Sequence, residues 1–322
     1  MRKTDVLMVV ILALASIVLW IITHSVPREY VMSQHQNSQK FEPFLSPALI
    51  LTTKASATTT KPASTNLTPS SGLIPNVAHF FRISHQPSLR FTEMLSIQSA
   101  FQFQKPEKVT LHSAVKPSGQ WWLQLISNYE LELETLPSNV STERAKLSIL
   151  SERGGGIIMD LDVIVVRSLD DLRRHAFVIG SDKTTRLDFG VIMANADSTF
   201  LKSLLNFNSS EEIISKSYPM AKKHQSVHIE PDALTFPDAS HHYLLFNVNQ
   251  HLRWWKQNYV VRFRFQEGDS DIYNPEYIKL LRTPVGEVLR LIQYGSSDVI
   301  DSRMPHIMYA KELNESGFLN AL

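Results

Sequence analysis

GGGIIMDLDVIVV, residues 154–166, is the stretch that decides how this chain folds. Two apolar runs, residues 157–159 and 163–166, flank Asp160-Leu161-Asp162 and follow three glycines. Short apolar runs rich in β-branched residues predict buried strands. Because residues two positions apart project to the same face of an extended segment, both carboxylates can point into one pocket.

Two carboxylates in one pocket can share a divalent cation such as Mn²⁺ or Mg²⁺, whose remaining ligands come from substrate phosphates. A metal held in this way neutralises the charge that grows on a departing diphosphate. The pair therefore predicts transfer from a nucleotide-activated donor. Chance is the alternative, because the chain has 31 acidic residues and a second Asp-x-Asp at residues 269–271. Asp is also common at strand ends because it stabilises turns.

The N-terminus predicts a membrane anchor. Residues 6–22 are uncharged and almost wholly apolar, which is about the shortest length that spans a bilayer. Arg2 and Lys3 keep residues 1–5 in the cytosol by the positive-inside rule. The run lacks the shorter apolar core and cleavage site of a signal peptide, which favours an uncleaved signal-anchor. We expect a single-pass type II protein of the Golgi membrane, whose short span suits thin membranes.

Residues 23–72 predict a disordered, lumenal stem, because Ser, Thr, Pro and Ala predominate and cannot form a core. Residues 73–322 are long enough for one domain that is stabilised by burial, so the absence of cysteine, and hence of disulfides, is compatible with a lumenal domain. A net charge of +1 gives no indication of a nucleic-acid partner. Four Asn-x-Ser/Thr sites fit a lumenal glycoprotein, at Asn66, Asn139, Asn208 and Asn314.

Strand and helix patterns alternate after residue 73. This alternation predicts an α/β fold with one mostly parallel sheet and helices on both faces. Ligands of such sheets bind at the carboxyl ends of the strands, where Asp160 and Asp162 are expected. Besides the two runs around the acidic pair, the predicted strands are residues 76–83, 108–112 and 189–194. Residues 243–248 and 259–265 are predicted to be strand or loop. The predicted helices are residues 91–103, 121–125, 145–150 and 198–207, and another helix is predicted to start at Ser168.

Five motifs occur in order along residues 73–300: Pro75-x-x-x-His79, KPEKVTLH at 105–112, PSGQWW at 117–122, GGIIMDLDV at 155–163 and GVIMA at 190–194. Together they resemble the sugar-binding-region family of DXD glycosyltransferases, which includes lumenal α-1,4-galactosyltransferases and α-1,4-N-acetylglucosaminyltransferases. The resemblance implies a GT-A fold with a Rossmann-like sheet, a UDP-sugar donor, manganese, and transfer with retention of configuration.

The resemblance also implies site residues. Asp162 would ligate manganese, and Asp160 would bind the metal through water or hold the ribose and sugar of the donor. Asp188 would polarise the incoming hydroxyl as a third catalytic residue. Glu143 and Lys146 would contact the donor sugar, where the family has Asp and Arg. The other expected donor-binding residues are His79, Phe80, Gly155 and Gly156.

The chain departs from the family at three places. Ile158 replaces a Tyr, and residues 188–190, Asp-Phe-Gly, replace Asn-Asn-Gly. Arg262-Phe263-Arg264 stands where the family has a His-x-Trp that completes the metal and nucleotide site. An arginine cannot ligate a cation, although Arg262 or Arg264 could contact the diphosphate directly. A guanidinium that fills the position of the ion would contradict the prediction of a transferase and leave only an anchored fold.

Two hypotheses from different classes follow. The first is a type II membrane glycosyltransferase that moves a hexose or N-acetylhexosamine from a UDP-sugar to a glycan or glycolipid. The second is a catalytically silent lumenal glycan-binding or scaffold protein with the same fold, which the substitutions at Arg262 and Arg264 favour. A metal-dependent hydrolase would need a fuller ligand set, and His241 and His242, as neighbours on a strand, would point opposite ways.

Overall fold

The structure is a computed structural model that describes residues 73–137, 141–182, 185–246, 253–265 and 269–301. By its contacts the chain divides into two units, Met1–Thr65 and Asn66–Leu322, and all described residues belong to the second. The predicted signal-anchor and stem lie outside the described residues. Within the described ranges, no helix combines the length and apolarity that a membrane span requires.

A seven-stranded sheet forms the centre of the described domain, in the order β3-β2-β1-β4-β7-β6-β8. Four of its six neighbouring pairs are parallel, as the alternation predicts. A separate two-stranded sheet joins β5 to β9. The strands are β1 (Val77–Arg82), β2 (Lys108–Ser113), β3 (Glu132–Thr135), β4 (Gly155–Asp160), β5 (Val163–Val165), β6 (Phe177–Ser181), β7 (Leu187–Asn195), β8 (Val227–Glu230) and β9 (Val260–Arg262).

Seven α-helices lie in the described ranges, and a π-helical turn at Ala100–Gln104 extends the first. The helix expected from Ser168 is only the 3₁₀ turn Asp170–Leu172. Of residues 243–248, expected as strand or loop, 243–245 belong to the 3₁₀ helix Ala239–Leu245, and 247–248 lie outside the described residues. The helices are α1 (Phe91–Ser99), α2 (Gln120–Asn128), α3 (Thr142–Glu152), α4 (Thr199–Leu205), α5 (Ser210–Ala221), α6 (Pro275–Leu280) and α7 (Pro284–Tyr294).

β7 is antiparallel to both of its neighbours, so the sheet is mostly but not wholly parallel, as predicted. The reason lies in the connection before β7. A short loop joins β6 to β7, and a short connection permits only an antiparallel pair. Asp182 closes this loop, because its Oδ1 accepts hydrogen bonds from the backbone N–H groups of Thr185 and Arg186 at 3.0 and 2.8 Å.

Both faces of the sheet are covered, because side chains alternate along each central strand. On β4, Ile157 and Met159 belong to one buried cluster with residues of α1, α2 and α7. Ile158, between them, belongs to a second cluster with residues of α3, α4 and α5. This alternation explains why the strand reads as a continuous apolar run. The acidic pair follows where the run ends, so it lies at the carboxyl end of a strand buried on both faces.

Three glycines, residues 154–156, lie just before and at the start of β4, where the strand packs against its neighbours. Gly154 and Gly155 adopt φ values of 86° and 93°, which L side chains rarely adopt. A Cβ on Gly155 would lie 2.5 Å from the carbonyl oxygen of Ala194 on β7, whereas one on Gly154 would meet nothing within 4 Å. Gly155 is therefore required by packing as well as by backbone conformation.

We expect Gly155→Ala to lower the free energy of unfolding by about 3 kcal/mol or more, because strain and overlap with backbone add. Gly154→Ala is the matched control, since it imposes only the backbone strain of about 1 kcal/mol. Urea denaturation of both variants measures the difference. Equal losses in the two variants would show that the contact with Ala194 is unimportant.

Candidate functional site

A cleft of about 620 Å³ opens at the carboxyl ends of β1 and β4. These strands are parallel neighbours, with Phe81 paired to Asp160, so they end at the same edge of the sheet. Ligands of open α/β sheets bind at this edge. The cleft is lined by Asp160 and Asp162, by Glu143 and Lys146 of α3, and by Arg82 of β1, among others.

A guanidinium lies between the two acids. Arg262 donates from Nη2 to Asp160 Oδ2 at 3.0 Å, and from Nε to the two carboxylate oxygens of Asp162 at 3.2 and 3.3 Å. Its Nη1 contacts a third carboxylate, that of Asp188 on β7. Only 15% of the Arg262 side chain is exposed. One arginine thus contacts three aspartates that lie 74 to 102 positions before it in the sequence.

Strand pairing explains why Arg262 reaches this point. β9 pairs with β5 in antiparallel register, with Arg262 opposite Val163, and the N–H of Phe263 donates to the Asp162 carbonyl at 2.8 Å. Gly190 leaves room for the guanidinium of Arg262, because a Cβ at residue 190 would overlap the guanidinium carbon. The glycine expected from the sequence motif is therefore needed for the position of the arginine.

Lys146 adds a second cation from α3. Its Nζ lies 2.5 Å from Asp160 Oδ1 and donates to the Phe189 carbonyl at 3.0 Å. The side chain is only 3% exposed. The residue expected to contact the donor sugar is thus held against Asp160. Glu143, one turn earlier on the same helix, also lines the cleft.

Arg264 supplies a third cation and contacts Asp188 through Nη2. Its backbone adopts φ of 46°, a left-handed conformation that is uncommon for a non-glycine residue. Its Nε is buried and has no hydrogen-bond partner among the described residues. With Arg262, it lines a neighbouring pocket of about 320 Å³ that shares Glu143, Lys146 and Asp160 with the cleft and is called its second lobe. Neither arginine lines the larger pocket.

The charges in this cluster perturb one another. Burial acts to lower the pKa of Arg262, but the carboxylates of Asp162, Asp188 and Asp160 outweigh it and raise that pKa above its ordinary value. Burial acts to raise the pKa of Asp188, but Arg262 and Arg264 outweigh it, so that pKa is lowered. Burial raises the pKa of Asp160, with Lys146 and Arg262 opposing. Asp188 is thus a stably ionised partner of two arginines and a weak base.

This arrangement does not fit the divalent cation expected at Asp160 and Asp162. Their oxygens already face Lys146 and Arg262. A divalent ion about 4 Å from a guanidinium would be repelled by roughly 8 kcal/mol at an effective dielectric constant of about 20. Within the described residues, no group of three or more His, Cys, Asp or Glu side chains could hold a metal. The three acids form a cluster of ion pairs instead.

Four residues expected to bind the donor lie elsewhere. Gly155 and Gly156 are buried at the start of β4, where they pack against β7 and β1, whereas the cleft opens at its other end. His79 and Phe80 are buried within β1 and do not line the cleft. The reason is geometric, because both pairs precede the strand ends that form the site.

His79 belongs to a buried chain of polar groups. Its Nδ1 lies 3.1 Å from His112 Nε2, and His112 Nδ1 lies 3.3 Å from Glu134 Oε2. Arg153 Nη2 contacts the same Glu134 oxygen at 2.7 Å. Burial, with the neighbouring His112, lowers the pKa of His79 to about 4. Burial and Arg153 lower the pKa of His112 to about 4 as well.

Other side chains singled out by the sequence are structural in the described part of the domain. The Trp121 ring packs on Phe91 at 4.9 Å, and Trp122 is buried. His241 pairs with Asp238 at 2.9 Å, and His242 contacts the carbonyl of Phe263. Arg82 was not predicted to line the cleft, where it pairs with Glu93 at 3.4 Å.

No protein-family model and no curated protein sequence matches this chain. Solved glycosyltransferases are distantly similar in structure. GlyE of Streptococcus pneumoniae TIGR4 is 12% identical with a TM-score of 0.44, over 76% of this chain and 64% of its own. The galactosyltransferase LgtC, in complex with donor and acceptor sugar analogs, is 13% identical with a TM-score of 0.40, over 72% of this chain and 99% of its own.

The mannosyltransferase PcManGT from Pyrobaculum calidifontis, in complex with GDP-Man and Mn²⁺, is 12% identical with a TM-score of 0.36, over 56% of this chain and 63% of its own. This chain thus spans less than two thirds of the lengths of GlyE and PcManGT. At these TM-scores the similarities carry no conclusion about activity.

We expect Arg262→Ala to lower the free energy of unfolding by about 3–5 kcal/mol, because it leaves three partly buried carboxylates with too few cations. Arg253→Ala is the control, since Arg253 forms a more exposed ion pair with Asp298, and such pairs contribute about 0–1 kcal/mol. Urea denaturation measures the free energy of unfolding of both variants. Equal stability of the two variants would mean that the ion cluster does not stabilise the fold.

The free energy of unfolding should also fall as pH drops from about 6.5 to about 4. His79 and His112, each with a folded pKa of about 4, bind protons in the unfolded chain near pH 6.5. The unfolded state therefore takes up more protons in this range, at a cost to the fold of about 3 kcal/mol per histidine. His112→Gln should flatten the pH profile, whereas the exposed control His85→Gln should not. Identical slopes would contradict this account.

Proposed function

We propose that this protein is a type II membrane glycosyltransferase that moves a hexose or N-acetylhexosamine from a UDP-sugar to a glycan or glycolipid. One observation carries the proposal: Asp160, Asp162, Glu143 and Lys146 line one cleft at the carboxyl ends of parallel strands. Its volume of about 620 Å³ lies within the range of ligand sites. Polar groups converging at this edge of an α/β sheet are typical of a site for nucleotides.

The cellular context is proposed from the sequence. The apolar run at residues 6–22, the basic residues before it and the stem at residues 23–72 favour a Golgi membrane protein with its cleft in the lumen. There the domain would meet sugar nucleotides as donors and glycans or glycolipids as acceptors. A stem of this length would let the domain reach acceptors on the membrane or on other proteins.

The transfer needs one bond to break and one to form. The bond between the anomeric carbon and the diphosphate oxygen breaks with its electron pair on the oxygen, and the acceptor hydroxyl oxygen bonds to the anomeric carbon. We propose retention of configuration. The hydroxyl proton passes to the released diphosphate, since Asp188 is a weak base between two arginines. Glu143 orients the sugar from the cleft wall, and Lys146 fixes Asp160 beside it.

A second candidate is favoured by the same cluster. Arg262 occupies the place where a divalent ion would stand between Asp160 and Asp162, which counts against a transferase that works through a metal at this pair. The first candidate therefore requires that the donor be held without a metal there. A protein that had lost turnover could keep this cluster as a purely structural element and still bind glycans. The two candidates differ in whether a sugar nucleotide is consumed.

The decisive experiment incubates the full-length chain, purified in detergent, with a panel of UDP-sugars and glycan acceptors and measures released UDP. The proposed transferase releases UDP, and Glu143→Gln lowers kcat/KM by about 10- to 100-fold because it removes a charge from the donor pocket. Glu276→Gln is the control, since Glu276 is exposed and pairs with Lys279 on α6. Glycan binding without release of UDP from any donor would favour the silent protein.

A further inference from the structure

We infer that Arg262 is a built-in cation that takes the place of a divalent metal, so that the cleft binds a nucleoside diphosphate without any metal ion. In this arrangement the guanidinium groups of Arg262 and Arg264 contact the diphosphate directly. The inference rests on the proposed function, because it specifies how the donor of that reaction is held. It assigns the arginines a binding role that the acidic pair alone does not indicate.

The first support is that the carboxylate oxygens of Asp160 and Asp162 already face cationic side chains. Asp160 Oδ1 faces Lys146 and its Oδ2 faces Arg262, while both oxygens of Asp162 face Arg262 Nε. Three cations, Lys146, Arg262 and Arg264, balance three aspartates in this cluster. A metal would therefore enter a site whose negative charge is already neutralised, beside a cation that repels it.

The second support is that several independent features fix the guanidinium in place. The β5–β9 register brings Arg262 to the acids, and Gly190 leaves room for the group. The N–H of Gly190 donates to Asp188 Oδ1 at 2.9 Å, which orients the third carboxylate toward the arginine. An ion pair formed by chance on a surface would not need a glycine beneath it. The position of the Arg262 guanidinium is therefore set by the surrounding structure.

The third support is the hydrogen-bonding capacity that remains. A guanidinium has five N–H groups, and the contacts to the three aspartates use one nitrogen each. Both Nη atoms of Arg262 therefore keep a second N–H. Arg264 Nε has no partner among the described residues, and both arginines line the second lobe beside Lys146. The planar fork of arginine matches phosphate oxygens in pairs.

The test measures UDP binding by calorimetry, with EDTA and with Mn²⁺, for the full-length protein. We expect the wild type to bind equally well in both conditions. Arg262→Ala should bind UDP at least about tenfold more weakly in EDTA, because it loses charge-assisted hydrogen bonds. Arg253→Gln, which alters an arginine outside the cluster, should bind like the wild type in both conditions.

A second readout needs no nucleotide. Electron paramagnetic resonance of Mn²⁺ should show no bound ion in the wild type and a bound ion in Arg262→Ala, where Asp160 and Asp162 have lost the guanidinium. Mn²⁺ should then raise the melting temperature of Arg262→Ala by roughly 3 °C and leave the wild type unchanged. If Arg262→Ala does not fold, Arg262→Lys and Gly190→Ala are used. Arg262→Lys replaces the planar guanidinium with an ammonium group, and Gly190→Ala displaces the guanidinium by overlap. Neither variant removes a positive charge.

The outcomes separate the inference from the function beneath it. The inference is overturned if the wild type binds UDP only when Mn²⁺ is present, or if the wild type binds Mn²⁺ in the absence of nucleotide. Either result leaves the proposed transferase in place. Unchanged metal-free UDP binding in Arg262→Ala and Arg262→Lys would also overturn it. Absence of UDP binding by the wild type in EDTA and in Mn²⁺ would instead remove the proposed function itself.

Discussion

The contact of one guanidinium with three carboxylates is the interaction on which the site depends. Arg262 joins the end of β4, the turn after it, and β7 into one charged cluster. Burying charges is costly unless each is paired, so every member needs the others. The cluster is better understood as a device that fixes geometry than as a source of net stability, because a buried ion pair seldom exceeds an apolar pair in stability.

A guanidinium and a metal ion would shape the same cleft differently. A metal is a compact double charge that accepts ligands from several directions. The guanidinium spreads a single charge over a plane and offers directional hydrogen bonds. A phosphate bound here must align with that plane, which depends on the space above Gly190 and on the neighbouring Arg264. Recognition in this cleft is therefore a matter of hydrogen-bond geometry as much as of charge.

Local patterns predicted much of the fold. The strand expected at residues 76–83 is β1, and the helix expected at residues 91–103 is α1 with its π-helical turn. These elements follow from the spacing of apolar residues along a short segment. β3, β6 and β8 were missed, because β3 and β8 are short edge strands and β6 precedes a hairpin loop. The direction of β7 depends on that loop, which carries no periodic signal.

Local sequence features are enough to show that two acids stand at the end of a buried strand, because the apolar run and its end are read from neighbouring residues. The family resemblance also predicted that Arg262 stands where that family has a histidine. The position of this arginine between Asp160 and Asp162, about a hundred residues earlier, follows only from the assembled fold. The β5–β9 pairing and the space above Gly190 made that contact. Long-range pairing of charges has no period along a chain, so it becomes visible only when the strands are assembled.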